Sequence, residues 1–291
     1  MVNIYEYKIA HPGEFKQLSV RDLLFVYYKC PQIERQIQLH THYNLIWFTL
    51  EGSRIFHQAE KRYVADKKSA FFVRKTGYVQ VFPECLNWKV LAFYIPDDFL
   101  KQVVNEYSDI LRTEEALPVT EEVFIKINLD ETTRTYFYGM IPYFTKPIPP
   151  KESLLELKFK ELLINVLSIP SNKELLSYIL HLSDNYKTPI WHVMEKNYMY
   201  NLTISELARI SGRSLTSFKK EFSEYYQTTP GKWLTMKRLE HARTLLNTTK
   251  LSISDIVFNS GFENVSHFSR VFKERFGSSP LQYRKSQMVV V

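Results

Sequence analysis

Two short stretches near the C-terminus carry side chains able to read a nucleic acid. Thr216, Lys219 and Lys220 follow Ser214, and Ser266, Ser269 and Arg270 repeat that spacing fifty residues later, with His267 and Lys273 among them. On a helix, positions three and four apart share a face. With Phe218 and Phe222 turned inward, Leu215, Thr216, Lys219 and Lys220 turn outward. With Phe268 and Phe272 inward, so do Ser266, His267, Ser269, Arg270 and Lys273. Arginine spans guanine edges with two hydrogen bonds, while Ser, Thr and Lys bond bases or phosphates. A third group is His40-Thr41-His42. Two imidazoles two apart on a strand share a face and suit Fe, Zn, Ni or Cu.

The elements that would hold the first two groups form an internal repeat. Ile204, Leu207-Ala208 and Gly212 recur as Ile253, Ile256-Val257 and Gly261. After one added residue, Phe218, Phe222, Thr229-Pro230 and Trp233 recur as Phe268, Phe272, Ser279-Pro280 and Tyr283. Two copies are too few for a solenoid and fit two small units in tandem. Each reads as a helix, a glycine turn and a second helix. Thr203 and Ser252 cap the first helices, Ser214 caps the second helix of copy one, and Gly212 and Gly261 supply the turns. That is the helix-turn-helix plan, whose second helix enters the DNA major groove.

Charge follows the same division. Residues 1–188 hold 23 Lys and Arg against 23 Asp and Glu, and residues 189–291 hold 15 against 8, so the whole excess of seven lies in the last hundred residues. Asymmetry of this kind points to nucleic acid or an anionic surface. At 291 residues the chain has room for about two domains. An apolar fraction of 45% with 24% charged residues is ordinary globular composition and excludes disorder and rods. No apolar stretch approaches the ~20 residues of a spanning helix, and no secretory leader is visible, so no membrane partner is expected. Cys30 and Cys85 are too few for a disulfide framework and lack metal-like spacing. A cytoplasmic protein is the expectation.

Residues 189–285 resemble the C-terminal DNA-binding domain of the AraC/XylS transcription regulators. The resemblance rests on Ile204, Leu207-Ala208, Gly212, Ser214, Phe218, Phe222, Pro230, Leu234, Arg238-Leu239, Ala242-Arg243, Leu245-Leu246, Thr248, Ile253, Ile256, Gly261-Phe262, Ser266, Phe268, Arg270, Phe272-Lys273, Phe276-Gly277, Ser279-Pro280 and Tyr283-Arg284. It implies two helix-turn-helix units, about 189–228 and 250–285, joined by a long helix over about 231–246. It places base readers at Thr216, Lys219, Lys220, Val265, Ser266, Ser269 and Arg270. Val257 departs from the family, which usually has alanine there. Double-stranded DNA and RNA polymerase are the implied partners, activation the usual outcome, and a homodimer the usual assembly.

The first half has a strand-like texture from Leu18 to about Ile95, with short apolar runs over 23–28, 44–50, 70–74, 78–82 and 86–95. The family's N-terminal domain is commonly a cupin-like barrel, and this stretch fits. A barrel of that size holds one small ligand or fills itself with side chains. His40, His42, Trp47, Arg54, Phe56 and Trp88 are the candidates to line an effector pocket. No metal or other cofactor is expected: Asn44 stands where many such regulators have Glu, and no third histidine follows at the expected place. From Asp97 the period turns helical, with Phe99, Leu100, Val103 and Val104 on one face. The spacing predicts further helices over Glu152–Leu167, with Leu155, Phe159, Leu162, Leu163 and Val166 inward, and over 173–184. Either helix could pack on the barrel or pair with a second copy, and Glu152–Leu167 is the helix expected to dimerise.

The expected chain is therefore α+β and multidomain. It has a cupin-like sensor with an antiparallel β-barrel and flanking helices (1–150), a helical dimerisation or linker region (151–188), and an all-α DNA-binding domain (189–291). Its function is that of a sequence-specific DNA-binding regulator. The alternative is a cupin-type metalloenzyme with an appended helical domain, and a third class is a helical protein-interaction module. No catalytic residue is assigned, and no G-x-S-x-G, P-loop, G-x-G-x-x-G or H-E-x-x-H motif supports other chemistry.

Overall fold

The computed structural model describes residues 1–29, 36–82, 88–111, 118–183 and 187–288. Cys30 and Cys85 lie outside the described residues. The chain divides into two compact units, residues 2–187 and 188–291.

The N-terminal unit contains two β-sheets. One has the order β1 (Val2–Asn3), β4 (Gln36–Thr41), β9 (Thr76–Val81), β6 (Arg54–Gln58) and β7 (Lys61–Ala65). The other has the order β11 (Phe124–Ile127), β8 (Ala70–Val73), β5 (Asn44–Glu51), β10 (Lys89–Ile95), β3 (Leu23–Lys29) and β2 (Lys16–Val20). Pairing is antiparallel except between β1 and β4, which run parallel.

Side-chain alternation explains why the second sheet reads as unbroken apolar runs. In β5, Leu45 and Trp47 face the first sheet, while Ile46, Phe48 and Leu50 face the helices. Val90, Ala92 and Tyr94 of β10 join the first set, and Leu91, Phe93 and Ile95 the second. A sheet covered on both faces has no polar side to alternate with. Its helix-side cover comes from α2 (Asp97–Glu106), α3 (Glu131–Met140), α4 (Glu152–Leu167) and α5 (Lys173–Ser183). Asn44 ties that layer together: its amide donates to Asp97 Oδ1 at 2.7 Å, and its carbonyl oxygen accepts from Tyr178 Oη at 3.2 Å.

Helix α4 spans the predicted residues. Its apolar face, Leu155, Phe159, Leu162, Leu163 and Val166, is buried in one core with the sheet. Of the two partners open to that face, its own sheet takes it, and these side chains cannot also pair with a second copy.

The C-terminal unit is helical: α6 (Ile190–Asn197), α7 (Ile204–Ile210), α8 (Leu215–Tyr226), α9 (Pro230–Thr248), α10 (Ile253–Asn259), α11 (Val265–Phe276) and α12 (Pro280–Met288). Helix α9 serves both halves. Trp233 near its start meets Phe222 and Tyr226 of α8, whereas Leu239, Ala242 and Leu246 share a core with Ile256, Val257, Phe268 and Phe272. Among the described residues no helix is long and apolar enough to cross a membrane.

Candidate nucleic-acid interface

The two helix pairs are built by the same backbone devices. Thr203 Oγ1 accepts from the Glu206 amide at 3.2 Å while Glu206 Oε2 accepts from the Thr203 amide at 2.7 Å. Ser252 and Asp255 exchange the equivalent pair at 3.1 and 3.3 Å. Each reciprocal cap satisfies two helix-end amides. Past the first helices, Gly212 and Gly261 take φ of 68° and 86°, in the left-handed region that glycine enters without cost to a Cβ. The next amides, of Arg213 and Phe262, donate back to Ala208 and Val257 at 2.9 and 3.0 Å. Val257, the departure from the family pattern, is buried without disturbing this bond.

The second helices are then capped by Ser214, whose Oγ accepts from the Ser217 amide at 3.2 Å, and by Asn264, whose Oδ1 accepts from the His267 amide at 3.0 Å. Their inner faces hold matching aromatic stacks. Phe222 and Tyr226 lie 4.5 Å apart beneath Trp233, and Phe272 and Phe276 lie 4.6 Å apart beneath Tyr283. Stacks of this kind fix the rotation of each helix, and with it the set of side chains left facing out.

That outward set contains the candidate residues. Ser214, Thr216, Lys219 and Lys220 are exposed on α8, as are Ser266, His267, Arg270 and Lys273 on α11, with Ser269 and Val265 half-buried between them. Neither Lys219 nor Lys220 is paired with a carboxylate among the described residues. The carboxylate beside them, Glu221, is already engaged by Arg213 Nε at 2.9 Å and by Ser217 Oγ at 3.0 Å. Arg270 is held along its own helix, with Nη1 3.1 Å from Glu274 Oε1 and Nη2 3.3 Å from His267 Nδ1. Both side chains of the Arg270–Glu274 pair are more than 60% exposed, so the pair contributes at most ~1 kcal/mol and yields readily to a stronger acceptor. The sequence pattern did not reveal Asn264 or Glu274. The fifty-residue offset that maps Ser214 onto Asn264 was the available signal for the first.

Of the six candidates for an effector pocket, Trp47, Phe56 and Trp88 line one small space between the sheets. Trp47 stacks on Phe56 at 4.3 Å, Trp88 lies edge-on at 6.4 Å, and Trp88 Nε1 donates to Thr49 Oγ1 at 3.3 Å. Tyr78 and Phe124 close around them, leaving about 10 Å³, room for at most one water. Arg54 is buried, its guanidinium 4.7 Å over Phe82 and 5.4 Å over Trp88. The histidines do not share a strand face as expected, because β4 ends at Thr41 between them. His40 is buried, and His42 Nδ1 accepts from Asn3 Nδ2 at 3.0 Å while its ring packs on Tyr43.

Two protein families match the chain. Residues 207–286 match a helix-turn-helix domain, and residues 44–178 match the ExsA N-terminal regulatory domain. The virulence regulon transcriptional activator VirF of Yersinia enterocolitica is 24% identical over 243 residues, covering 84% of this chain and 89% of VirF. The HTH-type transcriptional regulator ExsA of Pseudomonas aeruginosa is 24% identical over 272 residues, 94% of this chain and 96% of ExsA. A crystal structure from Chromobacterium violaceum, of a transcriptional regulator with an AraC-type DNA-binding domain, is 31% identical. That match covers 30% of this chain and 77% of the other, with a TM-score of 0.28.

Proposed function

Because the chain belongs to the AraC/XylS family of DNA-binding transcription regulators, we propose that one copy places α8 and α11 in successive major grooves and activates transcription from the site it reads. The chain is a regulator and not a cupin metalloenzyme. The observation that carries the proposal is the pair of identically built helix starts, each presenting hydroxyl and cationic side chains from a helix whose inner face is locked by an aromatic stack. Successive grooves recur every ~34 Å, or about 10.5 bp, so one monomer covers an asymmetric site of roughly 20 bp. Thr216, Lys219 and Lys220 serve one block, and Ser266, Ser269 and Arg270 the other. Ser214, His267 and Lys273, at the helix start and flank, suit phosphates. The VirF relative is an activator by name, and contact with RNA polymerase is the corresponding role here.

The aromatic packing between the sheets leaves no room there for a small effector. A hollow of the N-terminal unit, about 540 Å³, opens on its outside between α3 and α4. Control of this unit by a small effector or by a second copy of the chain therefore fits its outer surface better than the space between the sheets. Two chains joined in this way would bind two such sites.

Selection of bound duplexes from a random library by the full chain, at near-physiological salt, tests the reading. Two short blocks about one helical turn apart are expected; a folded protein that enriches no motif would overturn it. Affinity for the selected site should fall steeply with salt, as log K against log salt does when phosphate contacts release counterions. Arg270→Ala is expected to cost ~1–3 kcal/mol at one or two base positions while leaving the others unchanged. Uniform weakening across all positions in a competition series would assign Arg270 to phosphate.

A further inference from the structure

Three segments meet at the middle of α9. Arg238 reaches from that helix to the stretch that leads into the first helix pair, where Nε donates to the Tyr198 carbonyl and Nη2 to the Tyr200 carbonyl, both at 2.7 Å. From the other side the turn of the second pair closes on it. Gly261 approaches so near that a Cβ added there would lie 2.9 Å from Arg238 Nε and 2.9 Å from the Met199 carbonyl oxygen. Just beyond Tyr200 and Gly261, the Asn201 amide donates to the Glu263 carboxylate. Burial pulls the Arg238 pKa down to about 10, with Glu263 opposing the shift, so the group stays charged at neutral pH.

We propose that Arg238, packed under Gly261, is the positioning residue that fixes the angle between the two recognition helices and so sets the spacing between the two DNA blocks. Helix α9 alone fixes only a distance. The first pair leans on its start through Trp233 and the second on its end through Leu239, Ala242 and Leu246. Each pair can therefore swivel about the α9 axis unless something ties one to the other across it. Arg238 is that tie, because its two donors hold the backbone of one pair while its stem and Nε form the floor for the backbone of the other. A planar guanidinium with several fixed donors holds two carbonyls at once, which a lysine cannot do in the same geometry. Only glycine leaves room for the second backbone. The hollow beside this tie, about 610 Å³, is lined by Arg238 and Asn264 and opens onto His267 and Arg270, so a change of angle here is passed directly to α11.

The inference rests on tandem reading, and its test separates the two. The full chain is titrated against duplexes carrying both selected blocks, with the spacer lengthened by single base pairs, and against duplexes with one block scrambled. The unaltered chain should lose affinity sharply as the spacer departs from its selected length. Arg238→Met is expected to bind the selected spacing roughly 10-fold more weakly, to lose most of the spacer dependence, and to keep its affinity for each single block within about twofold. Glu263→Ala, at an exposed position that does not endanger folding, should shift the same profile in the same direction by less. A spacer profile as steep in Arg238→Met as in the unaltered chain would overturn the inference, as would an equal loss on single blocks. An unaltered chain indifferent to the second block would overturn tandem reading itself.

Discussion

Leu162→Asp is expected to unfold the N-terminal unit, whereas Leu157→Asp is expected to leave it folded. Both residues sit on α4, half a helical turn apart in direction. Leu162 is fully buried among Phe159, Phe93 and the other apolar side chains of the sheet's helix-side core. Truncating such a leucine costs ~2–5 kcal/mol by lost burial and cavity alone. An aspartate adds the cost of a buried carboxylate without a cation, several kcal/mol more. Set against a typical domain stability of ~5–15 kcal/mol, the sum removes most or all of it. Leu157 is 57% exposed and its neighbour Leu154 38% exposed, so a charge there should change stability by no more than ~0.5 kcal/mol. If α4 pairs with a second copy, these two outward leucines carry the contact. Thermal melting by circular dichroism and mass in solution by light scattering read the two effects separately. The expected result is a lost N-terminal transition for Leu162→Asp, and for Leu157→Asp an unchanged transition with reduced mass. A Leu162→Asp chain that melts normally but runs as a monomer would show that the inward face of α4 pairs between chains after all.

The C-terminal half was legible because its signals are written twice. A glycine at 212 alone is weak, but Gly212 and Gly261, each two turns after a hydroxyl cap and followed, with one residue added in the second copy, by Phe218 and Phe268, leave few alternatives. Helix α4 was legible for a related reason: five apolar residues at helical spacing stand between a proline-rich breaker and a second one. The outer sheet was not. In β7, Lys61–Ala65, only Ala65 is buried, so the strand gives no alternation to find. In the other sheet, strand β11 was equally hidden, being four residues long with its partner β8 some fifty positions away. The effector-pocket candidates are ambiguous in sequence for another reason. Trp47, Phe56 and Trp88 have the types and positions of a ligand cage, and equally those of a packed core. Only the volume left between them decides, and volume belongs to the whole set of side chains. Arg238 belongs to the family pattern, but its role as a tie is not legible there, because its partners are backbone carbonyls that every residue possesses.

Phe272→Ala and Phe222→Ala are expected to remove one recognition helix each and to leave opposite halves of the DNA site protected. Each ring is fully buried at the centre of its aromatic stack, Phe272 against Phe268, Phe276 and Tyr283, and Phe222 against Phe218, Tyr226 and Trp233. Removing a buried phenylalanine costs ~3–5 kcal/mol, and no neighbour in either small cluster can fill a void of that size. The loss should stay local. The core around Phe272 includes Leu239, Ala242, Leu246, Ile256 and Val257 but none of the aromatic residues of the first pair. Helix α9, the Arg238 tie and the Asn201–Glu263 hydrogen bond beside it link the halves, and none of these depends on the far aromatic cluster to form. Hydrogen exchange should therefore lose protection over residues 250–286 in Phe272→Ala while α7 and α8 keep theirs, with the reverse in Phe222→Ala. Footprints on the selected duplex should shrink to a single block, a different one for each variant. Specific affinity should fall by a factor of roughly 10³, toward non-specific binding, because one groove's base contacts are gone while the phosphate attraction of the other remains. If either variant lost both blocks and all protection together, the hundred residues would fold as one cooperative unit, and the repeat would record a shared ancestry of sequence without independent reading heads.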